Sequence, residues 1–237
     1  MSNPIVFSGL SLDEANATVQ YHGSRGAAVQ VTADSNGTFT VQVDYSAAGT
    51  GFGGSNAGAA GGAGGAQSGQ QKIAWGKKVS ADFKAKVIGI CGGLSCDPSF
   101  LMASMAFETG ATFSPTLQNP RSLATGLIQF LPSTAASLGT SIAALEQMTA
   151  VAQLDFVQKY LTPFKGRMLS LSDVYMTILF PVAVGKPDSF VLFAAPSSAY
   201  EQNSGLDVNH DGQVTKGEAA SKVQSMLDQG LSTKNCG

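Results

Sequence analysis

The chain has 237 residues, a net charge of −2 and 28 glycines, and only 13% of its residues are charged. This length allows one well-packed domain with a smaller element beside it. The chain has no excess of basic residues and no apolar run long enough to cross a bilayer, so we expect neither a nucleic-acid partner nor membrane insertion. We also expect no secretory signal, because residues 1–8 lack a basic stretch followed by a long apolar one.

Residues 1–46 are predicted to form a small β-rich segment. Apolar residues occupy alternate positions on both sides of a loop at residues 34–37, which is typical of a half-buried hairpin. Because an isolated hairpin is only marginally stable in water, the segment should pair with further strands, other copies of the chain or a partner. The alternating residues are Val29, Val31, Phe39, Val41, Val43 and Tyr45.

Residues 47–70 are almost entirely Gly, Ala, Ser, Asn and Gln. Such a composition buries too little apolar area to offset the entropy lost on ordering. The pattern therefore predicts a flexible Gly/Ala-rich linker, with a tightly packed Gly/Ala repeat as the alternative.

Residues 71–237 carry repeated helix signals. Capping residues or Pro stand before apolar stripes at several points, and a further helix is predicted after Asp211-Gly212. We therefore predict a mainly α chain with an all-helical domain over residues 71–237. The predicted helix starts are at Ser80, Asp97-Pro98, Pro132, Thr149 and Ser172.

Glu108 is the first candidate for chemistry. Leu101, Met105 and Glu108 are spaced to share one face of a helix whose neighbouring residues carry no charge. A carboxyl at the rim of an apolar core is disfavoured in its ionised form, which keeps a proton available for acid catalysis. The alternative is a solvent-facing Glu just before the helix ends at Gly110.

The sequence around Glu108 resembles that of a known superfamily. Met105-Ala-Phe-Glu-Thr-Gly110, followed by Ala124-Thr-Gly-Leu-Ile-Gln-Phe-Leu-Pro-Ser-Thr-Ala135, is similar to the soluble lytic transglycosylases and goose-type lysozymes, and its phage-encoded members look closest. The resemblance covers about residues 75–205, with Thr109 and Ile128 where the family has Ser and Met. It implies a lysozyme-like fold that cleaves the MurNAc-GlcNAc β-1,4 bond of peptidoglycan.

The resemblance also implies roles for individual residues. Glu108 would protonate the glycosidic oxygen and then accept the proton of the muramic acid C6 hydroxyl, which gives a 1,6-anhydro product. Thr109 would position this acid and Gln129 would hydrogen-bond the sugar. Tyr200 and Asn203 would line the site, although Ala199-Tyr-Glu-Gln-Asn203 has two residues more than the family's Ala-Tyr-Asn motif. Tyr175 could line it as well, with core packing as the alternative.

The spacing of acidic residues bears on the mechanism. Most glycosidases use two carboxyls, yet no Asp or Glu occurs between Glu108 and Glu146. Asp155 and Asp173 could still be brought close by folding. The gap favours a transglycosylase that needs one carboxyl, while a hydrolytic muramidase, endolysin or chitinase-type enzyme on the same fold is the alternative. From another class, a non-catalytic calcium-binding structural virion protein also fits.

A twelve-residue stretch at 207–218 matches the EF-hand calcium loop. Oxygen-bearing side chains occupy its ligand positions and Gly212 occupies the sixth position. The match predicts one bound Ca²⁺, as a structural staple for the final helix, while the alternative is an Asp/Asn/Gly turn that only caps this helix. The predicted ligands are Asp207, Asn209, Asp211, Gln213, Thr215 and Glu218.

Two expectations concern the setting of the protein. A phage enzyme without a secretory signal would be carried on the virion or released from the host cytoplasm at lysis, and would act in the host periplasm and cell wall. Residues 1–46 could anchor it to other virion proteins. The odd cysteine count, Cys91, Cys96 and Cys236, argues against a disulfide framework, and Cys91 and Cys96 are either bridged or simply small packed residues.

Overall fold

The computed structural model describes residues 5–10, 15, 18, 28–34, 38–44, 71–120 and 122–237. Across these ranges the chain is mainly helical, with a small sheet near its N-terminus, so the predicted mainly α class is confirmed. The strands are β1 (Ile5–Leu10), β2 (Ala28–Ala33), β3 (Phe39–Asp44), β4 (Val191–Ala194) and β5 (Gln213–Thr215). The helices are α1 (Ala81–Leu94), α2 (Pro98–Thr109), α3 (Pro132–Ser137), α4 (Ile142–Glu146), α5 (Ala150–Leu161), α6 (Leu171–Leu179), α7 (Ser198–Asn203) and α8 (Lys216–Leu231).

The predicted hairpin is present as β2 and β3. The two strands pair antiparallel from Ala28 opposite Asp44 to Ala33 opposite Phe39. Strand β1 was not predicted, because its six residues lack a clear alternation, and it pairs antiparallel with the other edge of β3. The sheet order is therefore β1-β3-β2, and the hairpin gains the third strand that its stability requires.

The N-terminal sheet contributes to the main core. Phe39, Val41 and Val43 are buried, and the Phe39 ring meets Phe180 edge to face at 5.6 Å between centroids. Alternate residues of β3 thus cover the helical part of the chain. Tyr45 and the predicted linker at 47–70 lie outside the described residues, as do the side chains of Val29 and Val31.

Most helix starts follow from local capping. The side chains of Ser80, Asp97 and Thr149 accept hydrogen bonds from backbone N–H groups in the first turns of α1, α2 and α5, as predicted. The predicted start at Ser172 is wrong, because the Ser170 hydroxyl caps α6 instead, by accepting from the Asp173 N–H at 3.1 Å. Ser172 lies inside the helix and donates to Asp188 Oδ1 at 2.9 Å.

The domain is not all-helical, contrary to prediction. Strands β4 and β5 pair antiparallel and carry the 207–218 segment against α8. The two strands have four and three residues, too few for a periodicity to be recognised in the sequence. Helices α4 and α7 were missed for the same reason, since they span five and six residues. Helix α8 packs against α2 and α6, and α6 also packs against α2.

Helices α1 and α2 meet at a sharp corner. Helix α1 ends with Ser95 in the left-handed region at φ 60°, and Asp97 then caps α2, so that the two axes are bent by 119°. Among the described residues no single helix is long and apolar enough to cross a membrane, and this bent pair passes that test by length and composition when taken together.

Candidate functional site

Glu108 lies in the last turn of α2. Leu101 and Met105, two turns and one turn before it, have no exposed surface, so this helix face is turned into the core. The Glu108 side chain is half-buried at the end of that face, where the helix stops at Gly110 with φ 58°. The predicted arrangement, a carboxyl at the rim of an apolar core, is therefore present.

The surroundings of Glu108 favour its protonated form. Burial raises the pKa of Glu108 to about 8, because removal from water disfavours the carboxylate. In the described part of the chain its carboxyl receives no hydrogen bond and no salt bridge. In those ranges the fully buried side-chain oxygens without a partner are Asp207 Oδ1 and Asn235 Oδ1. The unpaired Glu108 oxygens are not among them, so both keep some accessible surface. The group can therefore hold a proton at neutral pH and present it to an outside molecule.

Tyr175 is the predicted site residue that the structure places beside Glu108. It lies on α6, is 3% exposed, and its ring meets Phe107 edge to face at 5.5 Å between centroids. Burial and the neighbouring Glu108 charge both raise the pKa of Tyr175. Its hydroxyl makes no hydrogen bond within the described ranges and is not among the fully buried unpaired oxygens there, so it keeps some accessible surface.

Thr109 acts on the backbone. Its buried hydroxyl donates to the Met105 carbonyl at 2.6 Å and accepts from the Phe113 N–H at 3.1 Å. These bonds tie the end of α2 to the following loop and fix where Glu108 stands. Thr109 therefore helps to position the neighbouring Glu108, and its hydroxyl is fully used in hydrogen bonds within the protein.

Gln129 ends a tight loop formed by the Gly-Leu-Ile-Gln motif. Thr125 and Phe130 pair across the loop, and Gln129, its last residue, takes φ 51°. The Gln129 Nε2 donates to the carbonyls of Leu117 and Gly126, both at 3.1 Å, which leaves its Oε1 without a partner in the described part of the chain. The side chain is thereby held in one orientation with a free acceptor.

Gln153 supports this loop and was not singled out in the sequence. Its buried Oε1 accepts from the Leu127 N–H at 2.8 Å, and its Nε2 donates to the Pro115 carbonyl at 3.0 Å. Gly126 has φ 82° and a Cβ there would clash with the Gln153 amide. The sequence feature that could have identified Gln153 is its place next to Leu154, as a polar residue at the edge of the apolar stripe of α5.

Gln129 borders two hollows. The larger one, about 450 Å³, is open to solvent and is also lined by Leu117, Gln118, Asn119 and Pro120. The smaller one, about 40 Å³, separates the Gly-Leu-Ile-Gln loop from Ile178 on α6. Because Tyr175 and Ile178 lie one turn apart on α6, the same helix borders both the Gln129 loop and Glu108.

Tyr200 and Asn203 have hydrogen-bond partners other than Glu108 and Gln129. Both belong to α7, where the Tyr200 hydroxyl donates to Asp207 Oδ2 at 2.7 Å and the Asn203 amide donates to the Ala199 carbonyl at 2.9 Å. In the described part of the chain neither residue hydrogen-bonds Glu108 or Gln129. Tyr200 therefore bonds the 207–218 loop through Asp207, whereas Asn203 bonds within α7.

The 207–218 loop is held together by its own carboxylates. Glu218 Oε1 accepts from the N–H groups of Val208 and Asn209, and its Oε2 accepts from the Thr215 N–H and hydroxyl. Asp211 Oδ1 accepts from the Gln213 N–H. The hydrogen bonds to Glu218, chiefly from the Thr215 backbone, lower its pKa. Five of the six predicted calcium ligands thus already take part in hydrogen bonds within the loop.

Asp207 provides the test of whether calcium fits. This residue is 3% exposed, and its Oδ2 accepts from the Tyr200 hydroxyl and the Gly212 N–H, while its Oδ1 is buried without a partner in the described ranges. The Tyr200 hydrogen bond is the main cause that lowers the pKa of Asp207. An ionised, buried and unpaired oxygen fits a cation. In the ranges described, however, no three Asp, Glu, His or Cys side chains converge as a ready metal cluster.

Comparison with known proteins leaves the site to be judged on its geometry. No family model matches the chain, and neither curated proteins nor solved structures give a match. The fold and the site together define a mainly α protein with a protonated carboxyl at the rim of its core and a separate acidic loop at the base of its last helix.

Proposed function

We propose that this chain is a peptidoglycan lytic transglycosylase with a lysozyme-like domain, and that Glu108 serves as both acid and base. The observation that carries the proposal is the Glu108 carboxyl itself, which is half-buried, unpaired among the described residues and raised to a pKa of about 8. A carboxyl prepared in this way is suited to protonate a leaving oxygen at neutral pH.

The reaction would use one carboxyl twice. Glu108 donates its proton to the glycosidic oxygen as the bond from the MurNAc C1 breaks, and the GlcNAc leaves with a free hydroxyl. The Glu108 carboxylate then removes the proton from the MurNAc C6 hydroxyl, whose oxygen closes onto C1 as the 1,6-anhydro ring. The proton count of Glu108 is restored. The Tyr175 hydroxyl and Gln129 Oε1, both without partners in the described chain, would contact the sugars.

Two acids that could have supplied a second carboxyl are occupied. Asp155 lies 2.8 Å from Lys86 Nζ, and Asp173 Oδ1 lies 2.6 Å from Lys216 Nζ. Neither forms a hydrogen bond to Glu108. This supports intramolecular attack by the C6 hydroxyl over attack by an activated water.

Glu146 favours hydrolysis as the second candidate function. Its Oε1 accepts from Gln118 Nε2 at 3.1 Å, and Gln118 lines the same 450 Å³ hollow as Gln129. A carboxylate bonded to a residue that lines that hollow could activate water for a muramidase. This candidate would give a reducing sugar end in place of an anhydro end.

A muropeptide digest analysed by mass separates these outcomes. We expect the wild type to give 1,6-anhydro ends, lighter by one water than hydrolysed ends, and Glu108→Gln to lose about 10²–10⁴-fold in rate. Glu146→Gln is the matched control and should keep both rate and product. Equal activity of wild type and Glu108→Gln would remove the catalytic proposal, and hydrolysed ends that vanish in Glu146→Gln would establish the muramidase.

We propose further that the 207–218 loop binds one Ca²⁺ as a structural ion. Asp207, Asn209, Asp211, Gln213, Thr215 and Glu218 would hold it, with the unpaired Asp207 Oδ1 as the observation in its favour. The bound ion would supply positive charge that fixes β5 and the start of α8.

Calcium-dependent unfolding tests this loop. With the wild type, saturating Ca²⁺ at about 100 times Kd should add about 2.7 kcal/mol to the free energy of unfolding relative to chelator. Asp207→Ala should abolish the difference, while Asp228→Ala, on the exposed part of α8, should retain it. A wild-type melting temperature that is the same in chelator and in Ca²⁺ would rule out the structural ion.

The setting proposed for this enzyme is a phage infection, with the glycan strands of peptidoglycan as its substrate in the host periplasm and cell wall. The protein would be carried on the virion or released from the host cytoplasm at lysis, and residues 1–46 would contact other virion proteins. Proteomics of purified particles tests the first route. Particles that lack the protein would exclude carriage on the virion, and release at lysis would be the remaining route.

A further inference from the structure

The corner between α1 and α2 holds two cysteines that the proposed catalytic function does not use. Cys91 lies in the last turn of α1 and has no exposed surface, whereas Cys96, in the short connection to α2, is half-buried. Cys236, the third cysteine, is near the other end of the described chain. The connection between the first two is short enough for direct side-chain contact.

The helix cap fixes how close the two cysteines are. The Cys96 N–H donates to the Cys91 carbonyl at 3.0 Å, and Ser95 between them takes the left-handed φ of 60°, which is the Schellman arrangement. Because only standard covalent bonds join these two atoms to their Cα atoms, the Cα atoms are no more than about 7 Å apart. Natural disulfides span this separation or less.

The Schellman arrangement also favours contact between the two side chains. Its two outer residues, here Cys91 and Cys96, frequently touch over the end of the helix. The pKa shifts agree with such a contact, since the neighbouring thiol is the main cause that raises the pKa of Cys91 and lowers that of Cys96. Cys96 is thus both the more accessible thiol and the more readily ionised one.

We propose that Cys91 and Cys96 are a dithiol–disulfide pair that closes by exchange with an oxidised disulfide and locks the corner between α1 and α2. The Cys96 thiolate attacks one sulfur of the incoming disulfide, forms a mixed disulfide and expels one thiolate. Cys91 gives up its proton and attacks the Cys96 sulfur, which expels the second thiolate. Two thiols are oxidised and one disulfide is reduced to two thiols.

The pair would change state with the compartment. Cytosolic thiols stay reduced, and the periplasm is oxidising. The bond would close a loop of few residues at the cap of α1, directly before Asp97, which caps α2. Glu108 is at the other end of α2 from the disulfide. Oxidation would therefore stabilise the connection that precedes α2 without contacting the Glu108 carboxyl.

Glutathione disulfide is the probe for this pair. The full-length folded protein is equilibrated with it, then unfolded in denaturant, alkylated and digested with trypsin, and residues 87–121 form one peptide that contains both cysteines. We expect this peptide to be lighter by two hydrogen atoms than its reduced form and to take up no alkylating reagent. Cys236→Ser is the matched control and should give the same peptide, while Cys91→Ala and Cys96→Ala should each leave one reactive thiol.

Thermal unfolding provides the second measurement. Closing the short loop should raise the melting temperature of the wild type by about 4–8 °C on oxidation, and should not do so in the Cys91→Ala, Cys96→Ala double variant. Alkylation of both thiols after equilibration would overturn the proposal. So would a glutathione adduct that remains on Cys96, or a bond from either cysteine to Cys236.

Discussion

Two regions of this molecule treat the same chemical group in opposite ways. At the end of α2, the Glu108 carboxyl receives no hydrogen bond from the described residues, and burial raises its pKa to about 8. At the start of α8, the Glu218 carboxylate accepts four hydrogen bonds from Val208, Asn209 and Thr215, and its pKa is lowered. One region keeps a proton and the other keeps a charge.

The position of each carboxyl along its helix explains the difference. Glu218 is in the first turn of α8, where backbone N–H groups have no helical acceptor and can bond a carboxylate. Glu108 is in the last turn of α2, where the free backbone groups are carbonyls and the helix dipole disfavours negative charge. Burial raises the pKa of Glu108, and its place at the carbonyl end of α2 offers it no backbone N–H group that would stabilise the carboxylate.

The base of the 207–218 loop gives the largest expected effect. Lys216 Nζ, 2% exposed at its side chain, lies 2.6 Å from Asp173 Oδ1 and donates to the Lys186 carbonyl at 2.7 Å. Lys216→Met leaves Asp173 buried without its partner, so the free energy of unfolding should fall by about 3–5 kcal/mol. Urea unfolding of the calcium-free protein measures this.

Lys86→Met is the matched control for that variant. Lys86 Nζ lies 2.8 Å from Asp155 Oδ1, but the two side chains are 28% and 60% exposed. Exposed pairs contribute little, so this change should cost about 0–1 kcal/mol. Equal losses in the two variants would show that burial of the Lys216 pair does not support the loop.

The pH dependence of stability tests the Glu108 region directly. Folded Glu108 keeps its proton up to about pH 8, whereas the unfolded group releases it near its ordinary pKa of 4.5. Between these values the folded state binds more protons, so the wild type should lose stability as pH rises, by no more than about 5 kcal/mol across the interval relative to Glu108→Gln. Denaturant unfolding of both proteins at several pH values gives this difference.

Glu218→Gln should show the opposite sign. The lowered pKa of Glu218 means that its contribution is present above its unfolded pKa and is lost as pH falls through the folded value. The wild type should therefore gain stability over Glu218→Gln as pH rises through the acidic range. If both variants gave the same slope, the contrast between the two helix ends would be wrong.

The sequence predicted the parts of the site that depend on local signals. The apolar face leading to Glu108, the cap at Asp97 and the hairpin at β2 and β3 all follow from short-range patterns. Gln153 could not be assigned its part, because its bonds to Leu127 and Pro115 join residues 26 and 38 positions apart. Contacts at that separation depend on the tertiary fold.

The hydrogen-bond partner of Tyr200 could not be predicted from the spacing of its motif. Its place in the chain predicted a sugar-lining residue, which stays a prediction, while the bond from its hydroxyl to Asp207, seven positions later, was not predicted. Strands β4 and β5, too short to be recognised, hold α7 against the 207–218 loop. Tyr175, for which core packing was the alternative, is both buried in the core and adjacent to Glu108.

The smallest effect distinguishes two buried tyrosines. The Tyr160 hydroxyl donates to the Thr177 carbonyl at 2.6 Å, whereas the Tyr175 hydroxyl makes no hydrogen bond in the described part of the chain. Tyr160→Phe should lower the free energy of unfolding by about 1 kcal/mol, and Tyr175→Phe should change it by less than about 0.5 kcal/mol. Urea unfolding at one pH measures both.

Activity should rank the same two variants in reverse. A hydroxyl that folding does not use, beside a protonated carboxyl, is free to bond a sugar, so Tyr175→Phe should lower kcat/KM on isolated cell walls while Tyr160→Phe leaves it near the wild-type value. A stability loss in Tyr175→Phe equal to that of Tyr160→Phe would mean that the Tyr175 hydroxyl is bonded within the protein. Glu108 would then lack the open polar neighbour on which its contact with substrate depends.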